Sequence, residues 1–193
     1  MRHDIAMAGA AFRLRPLTLA DAGFVVELRT DPRAARFINP TSPHVADQER
    51  WTEQYLARPG DYCFVVERLD THHPEGMVGI YHEDRARRSA EWGRWVLVPG
   101  SLAAAESALL VYRIAFEVLG LDLLYCRTVA ANQQVVSFHS SCGLVTHARL
   151  PNFVSLDGVA HDVVEQRMTR AAWPAHAPAL ARSAAAAARI LRR

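Results

Sequence analysis

The segment Leu102–Leu119 constrains this chain more than any other. Ala108, Leu109, Tyr112, Ala115, Phe116 and Leu119 form one apolar stripe at helical spacing. Leu110, Val111, Ile114 and Val118 make the segment apolar nearly all round, and only Glu106, Arg113 and Glu117 mark a charged edge. Such a helix has to be buried, and strand-like residues on both sides say what covers it. Before it, Ser89–Val98 puts Glu91, Gly93, Trp95 and Leu97 on one face and Trp92, Arg94, Val96 and Val98 on the other. Pro99-Gly100-Ser101 breaks that strand. Gly120 reads as the helix C-cap, and Asp122–Val129 is a strand again.

The rest of the chain fits around this unit. Phe12–Arg15 suits a short strand before Pro16. Thr18 and Asp21 resemble a capping box opening a helix to about Arg29, and Asp31-Pro32 stops it. A loop through Phe37-Ile38-Asn39-Pro40 leads to a second helix over about Val45–Arg58, ended by Pro59-Gly60. Tyr62–Leu69, Met77–His82 and Ser89–Val98 form a meander. Gln133–Ser141 is a short helix, and Gly143–Arg149 and Val159–Met168 are the last strands. A meander feeding a strand–helix–strand unit predicts an α/β (α+β) mixed sheet with helices on both faces. The expected organisation is an N-terminal extension over 1–10, one domain over 11–173 and an Ala/Arg-rich tail over 174–193 that is a marginal helix or disordered.

Composition removes several function classes. All 22 basic residues are arginine, so a P-loop lysine, a Schiff-base lysine and a lysine base are absent. The net charge of +2 comes from Arg182, Arg189, Arg192 and Arg193, in a tail without acids. Residues 1–173 hold 18 arginines against all 20 carboxylates, which argues against a nucleic-acid binder. Cys63, Cys126 and Cys142 are odd in number and far apart, so neither a zinc ribbon nor a disulfide scaffold is expected, and no metal site is. Met1–Ala11 lacks a signal-peptide layout, and no apolar run reaches the roughly 18–20 residues of a membrane span. The expectation is a reduced, cytoplasmic protein with no nucleic-acid or membrane partner.

Two places carry candidate chemistry. At Val98-Pro99-Gly100-Ser101-Leu102-Ala103-Ala104 a strand ends, a glycine turn follows and a helix begins. First-turn N–H groups there favour a phosphate, and small side chains permit close approach. An ordinary N-capped helix looks the same. The second place opens at Asn132 after a strand. Val135, Phe138 and Cys142 face inward from its helix, and His139 projects from the adjacent face, as a structural or a catalytic residue.

The stretch Glu91–Leu144 resembles the GNAT superfamily of acetyl-CoA-dependent acetyltransferases. Glu91-Trp92-Gly93-Arg94-Trp95-Val96-Leu97-Val98-Pro99 is similar to the strand that precedes that family's CoA loop. Leu119-Gly120-Leu121 before Leu123–Val129 is similar to its helix exit. Asn132 through Gly143-Leu144 is similar to its Asn-initiated helix, with His139 at the family's tyrosine position and Leu144 at its phenylalanine position. Leu14-Arg15-Pro16-Leu17 with Asp21, and Gly158–Trp173, resemble the branch containing ribosomal-protein and amino-sugar acetyltransferases. The likeness covers about residues 11–173. One motif departs: the family's basic, glycine-rich loop reads here Gly100-Ser101-Leu102-Ala103-Ala104-Ala105, with one glycine and no cation.

The resemblance implies a GNAT-like, mostly antiparallel mixed sheet and direct attack of an acceptor amine on acetyl-CoA within a ternary complex. It implies that backbone groups near Trp95, Val96, Leu97 and Val98 hold the pantetheine arm, that Gly100, Ser101, Leu102, Ala103 and Ala104 hold the pyrophosphate, and that Asn132 touches the arm. Glu91 is the expected base, with His82 as the alternative, and His139 as an imidazolium would protonate the leaving thiolate. The acceptor pocket is expected from Arg36, Phe37, Asn39 and His44, with Asn152 and Phe153, and Arg36 would suit an anionic acceptor. The implied acceptor is a small-molecule amine, a nucleotide-linked amino sugar first. A protein amine, or a non-catalytic GNAT-like scaffold suggested by the degenerate loop, are the alternatives. A homodimer is compatible with all three.

Overall fold

The computed structural model describes residues 3–192. In chain order its elements are β1 (Met7–Ala8), β2 (Phe12–Pro16), α1 (Ala22–Thr30), α2 (Val45–Leu56), β3 (Tyr62–Arg68), β4 (Pro74–Asp84), β5 (Ser89–Leu97), α3 (Ala104–Arg113), β6 (Leu123–Val129), α4 (Gln133–Ser141), β7 (Val145–Leu156), β8 (Val159–Thr169) and α5 (Trp173–Leu191). One 8-stranded mixed sheet runs in the order β1-β2-β3-β4-β5-β6-β8-β7. Every pairing is antiparallel except β5–β6.

Period-2 alternation sets the two layers. On β3, Phe64 and Val66 face the core beneath α3 and α5, while Cys63 and Val65 face Val25 and Leu28 of α1 and Tyr55 of α2. Helices therefore cover both faces, as the sequence implies. The long apolar helix is buried as expected, with Leu110, Val111, Tyr112 and Ile114 fully enclosed. It begins two residues late, because the Ser101 hydroxyl takes the Ala103 N–H at 3.1 Å and keeps the turn out of the helix. Past Arg113 it widens into a π-type turn over Ile114–Val118, ending before Gly120 at φ +68°.

Three boundaries differ from expectation. Residues 7–8 of the N-terminal segment join the sheet as β1, and Glu106 of α3 accepts the N–H groups of Ala10 and Ala11 in the turn that follows. Strand β7 runs on to Leu156, well past Arg149. Pro151 reads as a strand end, but it lies at a register shift of an edge strand, where a missing N–H costs nothing. The Ala/Arg-rich tail is the helix α5, and the 173/174 boundary falls inside its first turn. Leu180, Ala184 and Ala188 recur every four residues on its buried face, and Trp173 packs on Tyr112 with ring centroids 4.8 Å apart. An alanine-rich helix is marginal alone and is held here by packing.

The pairing of β5 with β6 places the site. It spans only Ser89, Ala90 and Glu91 against Leu123, Leu124 and Tyr125. Beyond Glu91 the two strands part, and the sheet opens into two wings.

Candidate active site

A cleft of about 790 Å³ fills the fork between β5 and β6 and extends under the loop after α1. Glu91 stands at the point of parting, on the last paired residue of β5, and is 7% exposed. Tyr81 donates its hydroxyl to Oε1 at 3.3 Å. Arg127 donates to Oε2 at 3.2 Å, and His82 Nδ1 lies 3.3 Å from the same oxygen. Arg127 also donates to Glu165 on β8 at 3.0 Å. Burial works against the Glu165 charge, yet Arg167 and Arg127 hold its carboxyl below the usual range. The Tyr81 phenol is pushed up by burial and by the Glu91 charge, so it stays protonated. Two donors hold this carboxylate in the cleft, and with the exposed His82 imidazole beside it the group is placed to exchange a proton with a ligand.

Strand β5 bends just beyond this point. Gly93 pairs with Gly79 and Val96 with Met77, so Arg94 and Trp95 oppose the single residue Val78. Arg94 takes the extra-residue position with φ +50°, a conformation that costs a non-glycine residue free energy. Two hydrogen bonds to Asp61, at 2.6 and 3.1 Å, hold it there, and its guanidinium lies 4.2 Å above the Tyr81 ring. Residues 92–97 have no strand partner on the β6 side. That free edge can receive an extended arm as an added strand.

Aromatic rings close the cleft on the α4 side. Trp95 packs on Phe138 at 5.0 Å, and Trp92 meets His139 edge-on at 4.8 Å. Here the structure corrects the imidazolium expectation. His139 is 3% exposed, its Nδ1 is enclosed without a partner, and burial pushes its pKa down to about 4. The ring is neutral near pH 7. Cys126 also lines the cleft, but burial raises its thiol, as it raises Cys63 to about 12 and Cys142 to about 11. None of the three is a ready nucleophile.

The expected residues divide. Glu91, His82, His139, Trp95, Asn132, Phe37 and Asn39 line the cleft, as does Phe153, which is 51% exposed. Val96, Leu97, Val98, Gly100, Ser101, Leu102, Ala103 and Ala104 do not line it. They continue β5 and turn into α3. Arg36 and His44 are exposed outside it; Arg36 packs over the Phe37 ring at 5.0 Å, and His44 precedes α2. Asn132 caps α4, accepting the Val135 N–H at 3.4 Å. Among the described residues, no group of three or more His, Cys, Asp and Glu is placed to hold a metal ion. No helix among the described residues is long and apolar enough to cross a membrane.

The turn into α3 offers room and free amides for an acyl-CoA arm. Gly100 sits at φ +88° with open space around it, and the first-turn amides of α3 face no internal carbonyl. Glu106 does not cap them, because its carboxylate serves Ala10 and Ala11. Ser101 donates to Glu75 at 2.6 Å, and among the described residues no arginine bonds to 98–104. The backbone and the open space at Gly100 would suit a phosphorylated pantetheine arm, and the residues that could hold it there are amides and not cations.

Sequence reasoning missed Arg29, Tyr81, Arg94 with Asp61, and Arg127. Arg127 had a signal: it lies two residues beyond Tyr125, the partner of Glu91, and so shares its face. The others depend on long-range contacts.

The sequence matches the family model described as an acetyltransferase (GNAT) domain over residues 12–145. None of the curated proteins matches it. Among solved structures, apo FdhC, a nucleotide-linked sugar GNAT, is similar at a TM-score of 0.78 and 24% identity, covering 93% of this chain and 98% of its own. A mutant of SpeG, a spermidine N-acetyltransferase from Vibrio cholerae, is similar at a TM-score of 0.76 and 20% identity, covering 86% and 98%. At these identities the likeness is one of fold.

Proposed function

The chain belongs to the GNAT acetyltransferase family, and on that premise we propose that it transfers acetyl from acetyl-CoA to the primary amine of a small, nucleotide-linked amino sugar. The observation that carries the reading is Glu91: a buried carboxylate at the fork where β5 leaves β6, beside a free strand edge. Acetyl-CoA, when bound, supplies the activated acyl group. The free edge of β5 at 92–97 and the amides at the start of α3 hold its arm. Trp92, Trp95 and Phe138 keep water from the reacting end. Glu91 would take the proton of the acceptor amine, directly or through a water, and His82 would pass it to solvent; as the N–C bond forms the thioester C–S bond breaks, and CoA leaves as a thiolate that takes its proton from solvent. His139 acts as a neutral hydrogen-bonding wall. Phe37, Asn39 and Phe153 border the acceptor end.

The charges of the cleft favour an anionic acceptor over a polyamine. Arg29, Arg94 and Arg127 line it; Asp61 offsets Arg94, Glu91 and Glu165 offset Arg127, and Arg29 alone is left without a carboxylate among the described residues. The test is release of CoA thiol from acetyl-CoA with an amino-sugar nucleotide as acceptor. Glu91→Gln is expected to lower kcat about 10²–10⁴-fold with little change in KM. An unchanged kcat would remove Glu91 as the base.

A further inference from the structure

The three arginines of the cleft are not equivalent. Arg94 is neutralised by Asp61, and Arg127 by Glu91 and Glu165. Arg29, in the last turn of α1, forms no ion pair among the described residues, although it is half-buried in the same cleft. Its hydrogen bonds among the described residues are neutral: Nε donates to the Thr41 hydroxyl at 2.7 Å, and Nη2 to the Asn39 carbonyl at 3.2 Å. A guanidinium carries five N–H groups, so three remain for a ligand. Burial and the neighbouring Arg94 both press against its charge. A half-buried cation without a counter-ion is costly, and a ligand anion would repay that cost. The two bonds to the 39–41 loop fix the plane of the fork, as bidentate recognition of an oxyanion requires.

We infer that Arg29 is the anion-recognition residue of the acceptor site, binding a phosphate group of the acceptor while the amine lies toward Glu91. This deepens the proposed function and rests on it. It also moves the anion role from Arg36, which stands outside the cleft, to a residue seven positions earlier on α1. The site selects phosphate-bearing amines and disfavours polycations through the same uncompensated charge.

The experiment compares four acceptors: a nucleoside-diphosphate amino sugar, an amino-sugar 1-phosphate, the free amino sugar and spermidine. Thiol release gives kcat/KM for each. The unaltered protein is expected to prefer the two phosphate-bearing acceptors, and Arg29→Gln to reduce that preference about tenfold to a hundredfold, mainly through KM. Thr41→Val removes one of the two loop bonds but keeps the cation and the Asn39 bond, so it is expected to lose at least several-fold less of the preference than Arg29→Gln. An equal loss in both variants would make Arg29 a loop clamp and overturn the inference, as would a preference that Arg29→Gln leaves intact. If no acceptor releases thiol, the transferase reading fails. Calorimetric binding of amino-sugar 1-phosphate then judges the anion site by itself: Arg29→Gln must weaken it, and equal binding would overturn it.

Discussion

His139 shows how much one enclosed side chain changes a chemical reading. Counting from Asn132 finds its position, and an unperturbed imidazole would serve as an acid near neutrality. The rings that bury it, Trp92 and Trp95, come from β5, and nothing in the local sequence marks them as its neighbours. Burial lowers its pKa from 6.5 to about 4. The unfolded chain therefore takes up a proton below pH 6.5 that the folded chain refuses until about pH 4. The contribution to stability is intact above pH 6.5 and falls away as the pH drops toward 4, by on the order of 3 kcal/mol. Urea unfolding at pH 7, 5.5 and 4.5 measures this. His139→Phe is expected to flatten the fall, and an identical slope in the variant would restore an exposed, titrating ring. Arg29 and Arg36 make the same point for the acceptor site. Both are unremarkable arginines near one loop, and only packing decides which enters the cleft.

At the scale of elements, helix and strand existence was legible because hydrophobic period carried it. Irregularities were not. Ser89–Val98 reads as an even alternation, yet Arg94 is an extra residue that re-aims β5 at the cleft. The ion pair that secures it spans 33 residues of sequence, so no local motif announces it. Asp61→Asn would leave the largely enclosed Arg94 guanidinium without its counter-charge. We expect it to cost about 3 kcal/mol and to lower kcat more than it raises KM, because the bulge orients the edge beside Glu91. Chemical denaturation together with steady-state kinetics checks both. A variant with normal stability and turnover would detach the bulge from the site. The continuation of β7 past Pro151 was hidden for a related reason: proline signals a break, and only edge position shows that the break is not needed.

For the whole molecule, the sequence reached the layer order and the mixed sheet, because a helix apolar nearly all round allows few alternatives. It did not reach the integration of the two ends. The N-terminal segment pairs as β1, and α5 packs its alanine face and Trp173 beside α3, bringing Arg192 to the Ala10 carbonyl at 3.1 Å. These contacts are made by small or ordinary residues without a signature. The parting of β5 from β6 after three paired residues was equally silent, and it is what makes the cleft. On the proposed function this fork, with its cation-free turn into α3, still binds acetyl-CoA. Calorimetric titration of the protein with acetyl-CoA tests it most directly. Binding on the order of micromolar, about 8 kcal/mol, is expected, carried by backbone amides and the free edge of β5. No heat of binding at near-millimolar acetyl-CoA would contradict it.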